Sequence, residues 1–241
     1  MFALADETSD SLRGEGKRLI IAIDGPSGAG KSTLAKRLAK ELGFTYMDTG
    51  AMYRALALKV LREGVDLTDD AAMARLIEST TVDLQPANGA LRVLLDSADV
   101  AAEIRTPQVS QMASKVSALP AVRARLLELQ REMGRRGSVV AEGRDIGTVI
   151  FPGAEVKIFL LASAAERARR RFAELRAAGQ AVKLDETLRE IEERDRRDSG
   201  RDLAPLRQAD DAVLIDSSSM DADQVMARVL EHIRMTQEKI Q

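Results

Sequence analysis

The fold of this chain is decided by one stretch, Leu19-Ile-Ile-Ala-Ile-Asp-Gly25-Pro-Ser-Gly-Ala-Gly30-Lys31-Ser32. Its first five residues form a short, continuous apolar run, which is typical of a central parallel strand buried on both faces. After the glycine-rich turn, apolar residues recur at the spacing of one helical face, at Leu34, Ala35, Leu38, Ala39 and Leu42. A strand, a glycine-rich turn and an amphipathic helix in direct succession predict the first unit of an α/β domain.

Residues 25–32 also fit the pattern G-x-x-x-x-G-K-[ST]. The glycines let several backbone N–H groups point at phosphate oxygens, and the helix that follows presents its positive N-terminal end to the same anion. A lysine at the seventh position can reach the β- and γ-phosphates, and the next hydroxyl suits Mg²⁺. We therefore predict a triphosphate-binding loop, with Ser32 as the Mg²⁺ ligand, made of Gly25, Pro26, Ser27, Gly28, Ala29, Gly30, Lys31, Ser32 and Thr33.

The rest of the chain repeats the alternation of strands and helices. Further apolar runs of strand length occupy 138–141, 156–161 and 212–215. Helical patterns occupy 120–134, 164–178, 184 to about 197, and about 221–236. This order predicts an α/β fold with a central parallel sheet between layers of helices.

The stretch from 64 to 102 differs, because its pattern breaks into short pieces. Asn88-Gly89 separates two short alternating runs, 80–84 and 91–95, and this arrangement indicates a β-hairpin. We interpret the stretch as a small β-containing insert. Residues 1–16 are polar, and we predict a flexible tail there, followed by a single domain over 17–241.

Composition excludes several classes of function. The 241 residues carry 36 basic and 38 acidic side chains for a net charge of −2, which argues against a nucleic-acid polymer as partner. Without cysteine there is no disulfide or thiolate site, and a single histidine excludes a two-histidine metal site. No targeting segment and no apolar stretch of 18 residues is visible. We expect a cytoplasmic monomer that does not bind membranes.

The 36 cations comprise 27 arginines and 9 lysines. Codon bias is one explanation, and the planar arginine fork, which suits bidentate phosphate contacts, is another. Arginines occur in three clusters: Tyr53-Arg54, Arg144-Asp145 directly after an apolar run, and a charged segment over 194–201. The last is equally typical of a solvated helix end. Together with the phosphate loop, the clusters predict a second anion site.

Two large groups of phosphate-loop proteins do not fit. A GTPase switch needs an N-K-x-D element, which is absent, and a D-x-x-G element, for which Asp145-Ile-Gly147 has the wrong spacing. The apolar strand ending in Asp-Glu that is usual in ATPase motors is also missing. A small-molecule kinase that binds ATP and an anionic acceptor remains.

The ordered motifs resemble those of bacterial cytidylate kinases. Besides the phosphate loop they are Met47-Asp-Thr-Gly-Ala-Met-Tyr-Arg54, Glu103-Ile-Arg-Thr-Pro107, Glu142-Gly-Arg-Asp-Ile-Gly-Thr-Val149, Phe151-Pro152, Val156-Lys-Ile-Phe-Leu160 and Glu193-Arg-Asp-x-x-Asp198. The similarity runs from Leu19 to the last predicted helix. It implies a three-layer P-loop NTPase fold, a monophosphate-binding insert at about 64–102 and a helical lid at about 165–200.

The resemblance also implies a reaction, the transfer of the ATP γ-phosphoryl group to CMP or dCMP, and a set of site residues. By position, the acceptor phosphate is held by Arg54, Arg144 and Arg201; the cytosine is read by Ser114, Arg123 and Asp145; the sugar is bound by Arg194 and Asp198; Thr49 and Tyr53 complete the acceptor site. Lys31, Arg144 and Arg201 are the expected catalytic residues, and ATP and Mg²⁺ are the expected cosubstrate and metal.

Alternatives remain at this point. Another acceptor is possible, namely UMP, dTMP or a small alcohol such as shikimate, although the enlarged insert and Asp145 argue against it. A protein that uses ATP only as a switch would bind it without turnover. Arg167, Arg170 and Arg171 either contact phosphates from the lid or lie on a solvated face. Asp48 is a further candidate for ordering water around Mg²⁺.

Overall fold

The structure, a computed structural model, describes residues 18–87 and 90–238. The predicted tail at 1–16 and the predicted turn at Asn88-Gly89 lie outside the described residues. The strands are β1 (Ile20–Asp24), β2 (Thr45–Asp48), β3 (Val82–Ala87), β4 (Ala90–Leu95), β5 (Ala98–Asp99), β6 (Val139–Gly143), β7 (Val156–Leu161) and β8 (Val213–Asp216). The helices are α1 (Lys31–Leu42), α2 (Thr49–Glu63), α3 (Asp70–Glu78), α4 (Pro107–Val116), α5 (Pro120–Gly134), α6 (Ala164–Ala177), α7 (Leu184–Gly200) and α8 (Ala222–Glu238).

Five strands form the central sheet, in the order β2-β6-β1-β7-β8. Every neighbouring pair is parallel; Ile23 of β1, for example, lies opposite Glu142 of β6 and Ile158 of β7. The prediction of a buried central β1 is confirmed. Because the strands are parallel, their carboxyl ends meet at one edge, where ligands bind in such sheets.

The two faces of the sheet belong to two apolar cores. Ala22, Met47 and Ala141 face a core that includes α2 to α5 and the small sheet. Ile21, Ile23 and Val140, one residue away along the same strands, face a core that includes α1 and α8. Alternate residues of one strand therefore support opposite layers, and the predicted three-layer α/β architecture is confirmed.

The insert contains the predicted hairpin. Strands β3 and β4 pair antiparallel from Val82 opposite Leu95 to Ala87 opposite Ala90, and β5 adds a third strand. The same insert also contains helix α3, which the sequence analysis did not predict. Asp69 caps it by accepting a hydrogen bond from Ala72 N at 2.9 Å, and its few apolar side chains face the core.

Three other elements differ from the predictions. Strand β2 and helix α4 were not predicted, because four residues and ten residues give weak periodic signals. The apolar spacing of Leu56, Ala57 and Val60 predicts a helix that opens at Tyr53-Arg54, whereas helix α2 begins at Thr49. The reason is its N-cap, Asp48, whose side chain accepts a hydrogen bond from Ala51 N at 2.8 Å.

The end of α5 packs closely against the segment after β6. That segment forms one π-helical turn, Ile146–Ile150, in which Phe151 N donates to Ile146 O at 2.7 Å. A Cβ atom on Gly134 would lie 2.6 Å from two carbons of the Phe151 ring. Only a residue without a side chain therefore lets α5 and this turn come so close.

Candidate active site

The phosphate loop lies at the carboxyl edge of the sheet, between β1 and α1. Gly25, Gly28 and Gly30 have positive φ angles of 147°, 79° and 95°. A Cβ atom on Gly25 would lie 2.0 Å from Leu160 O of the neighbouring strand β7. The loop therefore needs glycine for both its backbone conformation and its fit against the sheet, and it leads directly into the N-terminus of α1.

Lys31 folds back over this loop. Its Nζ donates a hydrogen bond to Pro26 O at 2.7 Å, and the residue is only 6% exposed. Burial, reinforced by the nearby charge of Arg144, lowers the pKa of Lys31 to about 7, although Glu142 favours the ammonium form. A triphosphate bound beside the ammonium group would supply the negative charge that stabilises its protonated form.

Ser32 and Glu142 provide oxygen atoms beside the loop. Ser32 Oγ donates to Glu142 Oε2 at 2.9 Å, and the Tyr46 hydroxyl donates to Glu142 Oε1. Thr49, at the start of α2, donates from Oγ1 to the backbone oxygen of Glu142 at 2.7 Å. Burial and the charge of Asp48 raise the pKa of Glu142. A cation in addition to the Lys31 ammonium group would therefore bind favourably at this carboxylate.

One cluster of residues that the sequence analysis assigned to the acceptor forms around Asp198 of α7. Arg144 Nε donates to Asp198 Oδ2 at 2.9 Å, and Ser114 Oγ of α4 donates to Oδ1 at 3.4 Å. Arg194 Nε lies 3.9 Å from Oδ2. Burial by itself would raise the pKa of Asp198, but the arginines outweigh it and lower the pKa, so the carboxylate stays ionised.

A second cluster of residues assigned to the acceptor forms around Asp145, directly after Arg144. Arg123 of α5 pairs with Asp145 and donates to Ser117 O at 3.3 Å. Arg201 donates from Nη1 to Ser117 Oγ at 3.3 Å, and its Nη2 lies 3.7 Å from Asp145 Oδ1. The Arg123 guanidinium carbon lies 6.0 Å from the centre of the Tyr53 ring. This cluster joins α2, α5, the end of β6 and the segment after α7.

Arg54 is fixed from α2. Its Nη2 donates to Asp48 Oδ2 at 2.9 Å, while the other oxygen of Asp48 caps the helix. The side chain of Arg54 is about one fifth exposed, so its guanidinium can contact a ligand. Thr33 is exposed on the first turn of α1. Every other predicted site residue lies in the phosphate loop or in one of these clusters.

Several buried arginine nitrogens in this region have no hydrogen-bond partner, namely Arg194 Nε, Arg197 Nε and Arg201 Nη2. A cavity of about 500 Å³ opens between α4 and α7, and Ser114, Arg197 and Arg201 contribute to its wall. Buried donors are normally paired in a complete site. The arrangement can therefore accept an anion that is not part of the chain.

The arginines of α6 have different environments. Arg167 is 4% exposed; its guanidinium binds Asp195 of α7 through two nitrogens, at 3.1 and 2.6 Å, and donates to Ser27 O of the phosphate loop at 3.2 Å. Arg170 donates to Ser217 O at 2.7 Å. Arg171 pairs with Glu174 on the exposed side of the helix. Of the three, Arg167 contacts the phosphate loop.

Sequence reasoning missed two residues of the site, Asp24 and Ser117, and gave no role to Glu142. Asp24 and Glu142 end or nearly end two parallel strands, and this position was the available signal. Ser117 lies between α4 and α5, where no motif marks it, and its contacts depend on segments distant in the chain.

Within residues 18–87 and 90–238, no helix has the length and apolarity that crossing a membrane requires.

The chain is similar in sequence to named cytidylate kinases. A family model for cytidylate kinase matches residues 21–235. The chain is 56% identical over 214 residues to the cytidylate kinase of Pelotomaculum thermopropionicum, covering 88% of this chain and 95% of that protein. It is 52% identical over 222 residues to the cytidylate kinase of Syntrophotalea carbinolica, covering 92% and 94%.

Among solved structures, an uncharacterized protein from Eubacterium ventriosum is similar with a TM-score of 0.50 and 15% identity. The match covers 91% of this chain and 99% of that one, and it supports the fold alone.

Proposed function

Because the chain belongs to the cytidylate kinase family, we propose that it transfers the γ-phosphoryl group of ATP to CMP or dCMP, which gives ADP and CDP or dCDP. The observation that carries the proposal is the identity of more than half of the aligned residues to named cytidylate kinases over nearly the whole chain. The convergence of arginines and carboxylates at the carboxyl edge of the sheet agrees with it.

On the donor side, the phosphate loop holds the ATP phosphates through backbone N–H groups and the N-terminus of α1. Lys31 lies at the first residue of α1, where its ammonium group offsets charge that develops on the phosphates. Its present hydrogen bond to Pro26 O is replaceable by a phosphate oxygen, because a charged acceptor binds an ammonium group more strongly than a neutral one does.

Mg²⁺ fits the donor side. Ser32 Oγ and the Glu142 carboxylate are hard oxygen donors 2.9 Å apart, and the carboxylate is buried. Mg²⁺ prefers such oxygens and needs only one or two protein carboxylates, because phosphates and water complete its shell. Ser32, with Glu142 behind it, would hold the ion, which when bound neutralises charge on the ATP phosphates. Asp48, paired with Arg54, is a further carboxylate near this site.

On the acceptor side, Arg54, Arg144 and Arg201 bind and orient the CMP phosphate. Each pairs with a carboxylate, so the guanidinium groups are held in position before the substrate binds. Phosphoryl transfer depends mainly on alignment and charge neutralisation, so this arrangement supplies most of what the reaction requires. We assign no general base.

The cytosine ring is read by Arg123, Asp145 and Ser114. The Asp145 carboxylate can accept the N4 amino group, and a guanidinium N–H of Arg123 can donate to N3 or O2. Uracil presents the opposite groups at two of these positions, so buried donors and acceptors would be left unpaired. Arg194 and Asp198 contact the sugar in this proposal, and Thr49 and Tyr53 line the pocket.

The remaining assignments concern organisation. Residues 64–102 serve as the monophosphate-binding insert and residues 165–200, which contain α6 and α7, as the lid that excludes water during transfer. The lid is tied to the donor site by the Arg167 contact with Ser27 O. We further propose that the protein is cytoplasmic and that it is a monomer. Light scattering of the purified full chain would test the oligomeric state.

An acceptor panel tests the function. ADP release is measured with ATP, Mg²⁺ and, in separate reactions, CMP, dCMP, UMP, dTMP, AMP and shikimate. The expected result is rapid turnover with CMP and dCMP and a specificity constant at least about 100-fold lower with UMP, since a mismatched polar edge is penalised strongly. Turnover of AMP or shikimate without turnover of CMP would contradict the proposal.

A further inference from the structure

Asp24 is a buried carboxylate between the donor and acceptor sites. It ends β1, directly before Gly25 of the phosphate loop, and is 5% exposed. Its Oδ1 accepts a hydrogen bond from Ile146 N at 2.7 Å, and its Oδ2 accepts one from Gly147 N at 2.8 Å. Both oxygens are thus engaged by successive backbone N–H groups.

These two N–H groups belong to the segment that bears the acceptor-binding residues. Ile146 and Gly147 follow Arg144 and Asp145 directly and form the start of the π-helical turn. A Cβ atom on Gly147 would lie 3.4 Å from Asp24 Oδ2 and 3.1 Å from Lys157 Cδ. The distance to Asp24 is an ordinary van der Waals contact, and an added methyl group would need only a few tenths of an ångström of movement from the Lys157 side chain.

We propose that Asp24 is a positioning residue that sets the distance between the two substrates, by fixing the Arg144–Asp145 segment to the first residue of the phosphate loop. The inference rests on the proposed function, because it concerns the alignment of acceptor against donor. Alignment matters strongly for phosphoryl transfer, since a displacement of about 1 Å can lower the rate about 100-fold.

The charges around Asp24 set the pH range in which its carboxylate is ionised. Burial raises its pKa to about 6, even though both backbone N–H groups favour the ionised form; Asp145 raises the pKa further and Lys31 lowers it. From β7, Lys157 lies against the same glycine, but its ammonium group is engaged by Asp211 and Pro152 O. At neutral pH the fold therefore keeps a charge that burial disfavours. As pH falls through about 6, protonation removes an acceptor and should loosen the segment.

The test compares Asp24→Asn with the wild-type full chain. The amide keeps the shape but offers one acceptor and turns N–H donors toward the second backbone N–H. We expect kcat/KM for CMP to fall about 100-fold while KM for ATP changes less than about threefold. Asp221→Asn is the matched control, because Asp221 also accepts hydrogen bonds from two backbone N–H groups, those of Asp223 and Gln224 at 2.9 and 2.8 Å, but lies directly before α8, outside both substrate sites. It should leave both parameters unchanged.

A pH profile separates positioning from a merely structural role. The acceptor phosphate itself titrates at about pH 6, so both enzymes lose kcat/KM for CMP in acid. In the wild type, protonation of Asp24 adds to this loss, which therefore requires one more proton. The slope of log(kcat/KM) against pH below pH 6 should accordingly be steeper by one in the wild type than in Asp24→Asn. Equal slopes, a fall in kcat/KM under threefold, or an equal rise in both KM values would overturn the inference.

A measurement without any substitution covers the case in which the variant does not fold. In the wild-type protein without substrate, the amide protons of Ile146 and Gly147 should titrate together near pH 6 in NMR spectra. Amide shifts that stay constant between pH 5 and 8 would overturn the inference. A wild-type enzyme that does not turn over CMP would instead overturn the proposed function, and the amide titration tests the Asp24 contact independently.

Discussion

In the proposed function, the phosphate loop and the acceptor site both bind phosphate, and the two sites are built in opposite ways. The loop is one run of residues, 25–33, which relies on backbone N–H groups and on glycine conformations. The acceptor site uses side chains from α2, α4, α5, the end of β6 and α7. Arg54, Arg123, Arg144 and Arg201 each pair with a carboxylate. All of these but Arg54 also donate a hydrogen bond to a backbone carbonyl.

This difference indicates that the phosphate loop is the more rigid site and that the acceptor site is the more selective one. A backbone-built site changes only if the chain changes path, so it suits a cosubstrate shared by many enzymes. In a site built from side chains, each donor or acceptor is set by one residue, so the pattern can match one ligand and leave buried groups unpaired with another. It therefore suits the substrate that must be distinguished from close relatives.

The largest expected effects come from removing one cation on each side. Lys31→Ala and Arg144→Ala should each reduce transition-state binding by about 3 kcal/mol or more. Steady-state kinetics should show a raised KM mainly for ATP in the first variant and mainly for CMP in the second. Arg171→Ala, which affects only an exposed pair, is the control. Near-wild-type turnover of either variant would contradict its assigned role.

The next effect concerns the connection between lid and loop. Asp195→Asn leaves the buried Arg167 guanidinium without its charged partner, and this should lower the free energy of unfolding by about 3 kcal/mol. Urea unfolding measures it. Glu174→Gln removes an exposed partner of Arg171 and should change the same free energy by less than about 0.5 kcal/mol. An equal change in the free energy of unfolding of the two variants would show that the buried Arg167–Asp195 pair contributes no more to stability than the exposed Arg171–Glu174 pair.

A smaller effect should appear in the pH dependence of ATP binding. The pKa of Lys31 is lowered to about 7, so the free enzyme loses this ammonium charge as pH rises through 7. ATP binding favours the charged form, and its affinity should fall by up to about tenfold per pH unit above 7. Calorimetry in two buffers of different ionisation enthalpy should detect proton uptake. Lys31→Met should abolish that uptake, and CMP binding should show no matching dependence.

The smallest effect should come from Ser117→Ala. This change removes the hydroxyl that accepts a hydrogen bond from Arg201, while the carbonyl that accepts from Arg123 remains. One neutral acceptor for a charged donor contributes about 1 kcal/mol, which we expect as weaker CMP binding with unchanged ATP binding. Titration calorimetry measures both. Ser110→Ala, on α4, is the control, and an equal loss there would argue against the assignment.

The same contrast explains how much could be predicted from sequence. The phosphate loop, α1 and β1 form one contiguous pattern, and all three were predicted; the apolar run that starts at Leu19 lies within one residue of the observed bounds of β1. The hairpin of the insert was also predicted, since alternation and register are local properties. Helix α3 was not, because nine residues next to a hairpin provide too few periodic positions.

For the acceptor site, the residues could be proposed from ordered motifs but their pairing could not. Nothing local indicates that Asp198 pairs with Arg144, 54 positions away, or that Ser117 contacts both Arg123 and Arg201. Such contacts follow from the packing of α4, α5 and α7 around the sheet edge. The composition was also ambiguous about the role of the arginines. An excess of arginine over lysine does not show whether a given guanidinium is paired and buried, as in Arg167, or exposed.

Gly134 has a consequence for how the protein tolerates inherited change. A single base substitution converts a glycine codon to a codon for alanine, serine, valine or a charged residue, and any added side chain would meet the Phe151 ring. The ring follows the turn that holds Gly147, so the disturbance would reach the acceptor site from a residue that contacts no substrate. Heat-sensitive variants recovered from random mutagenesis should therefore include changes at Gly134.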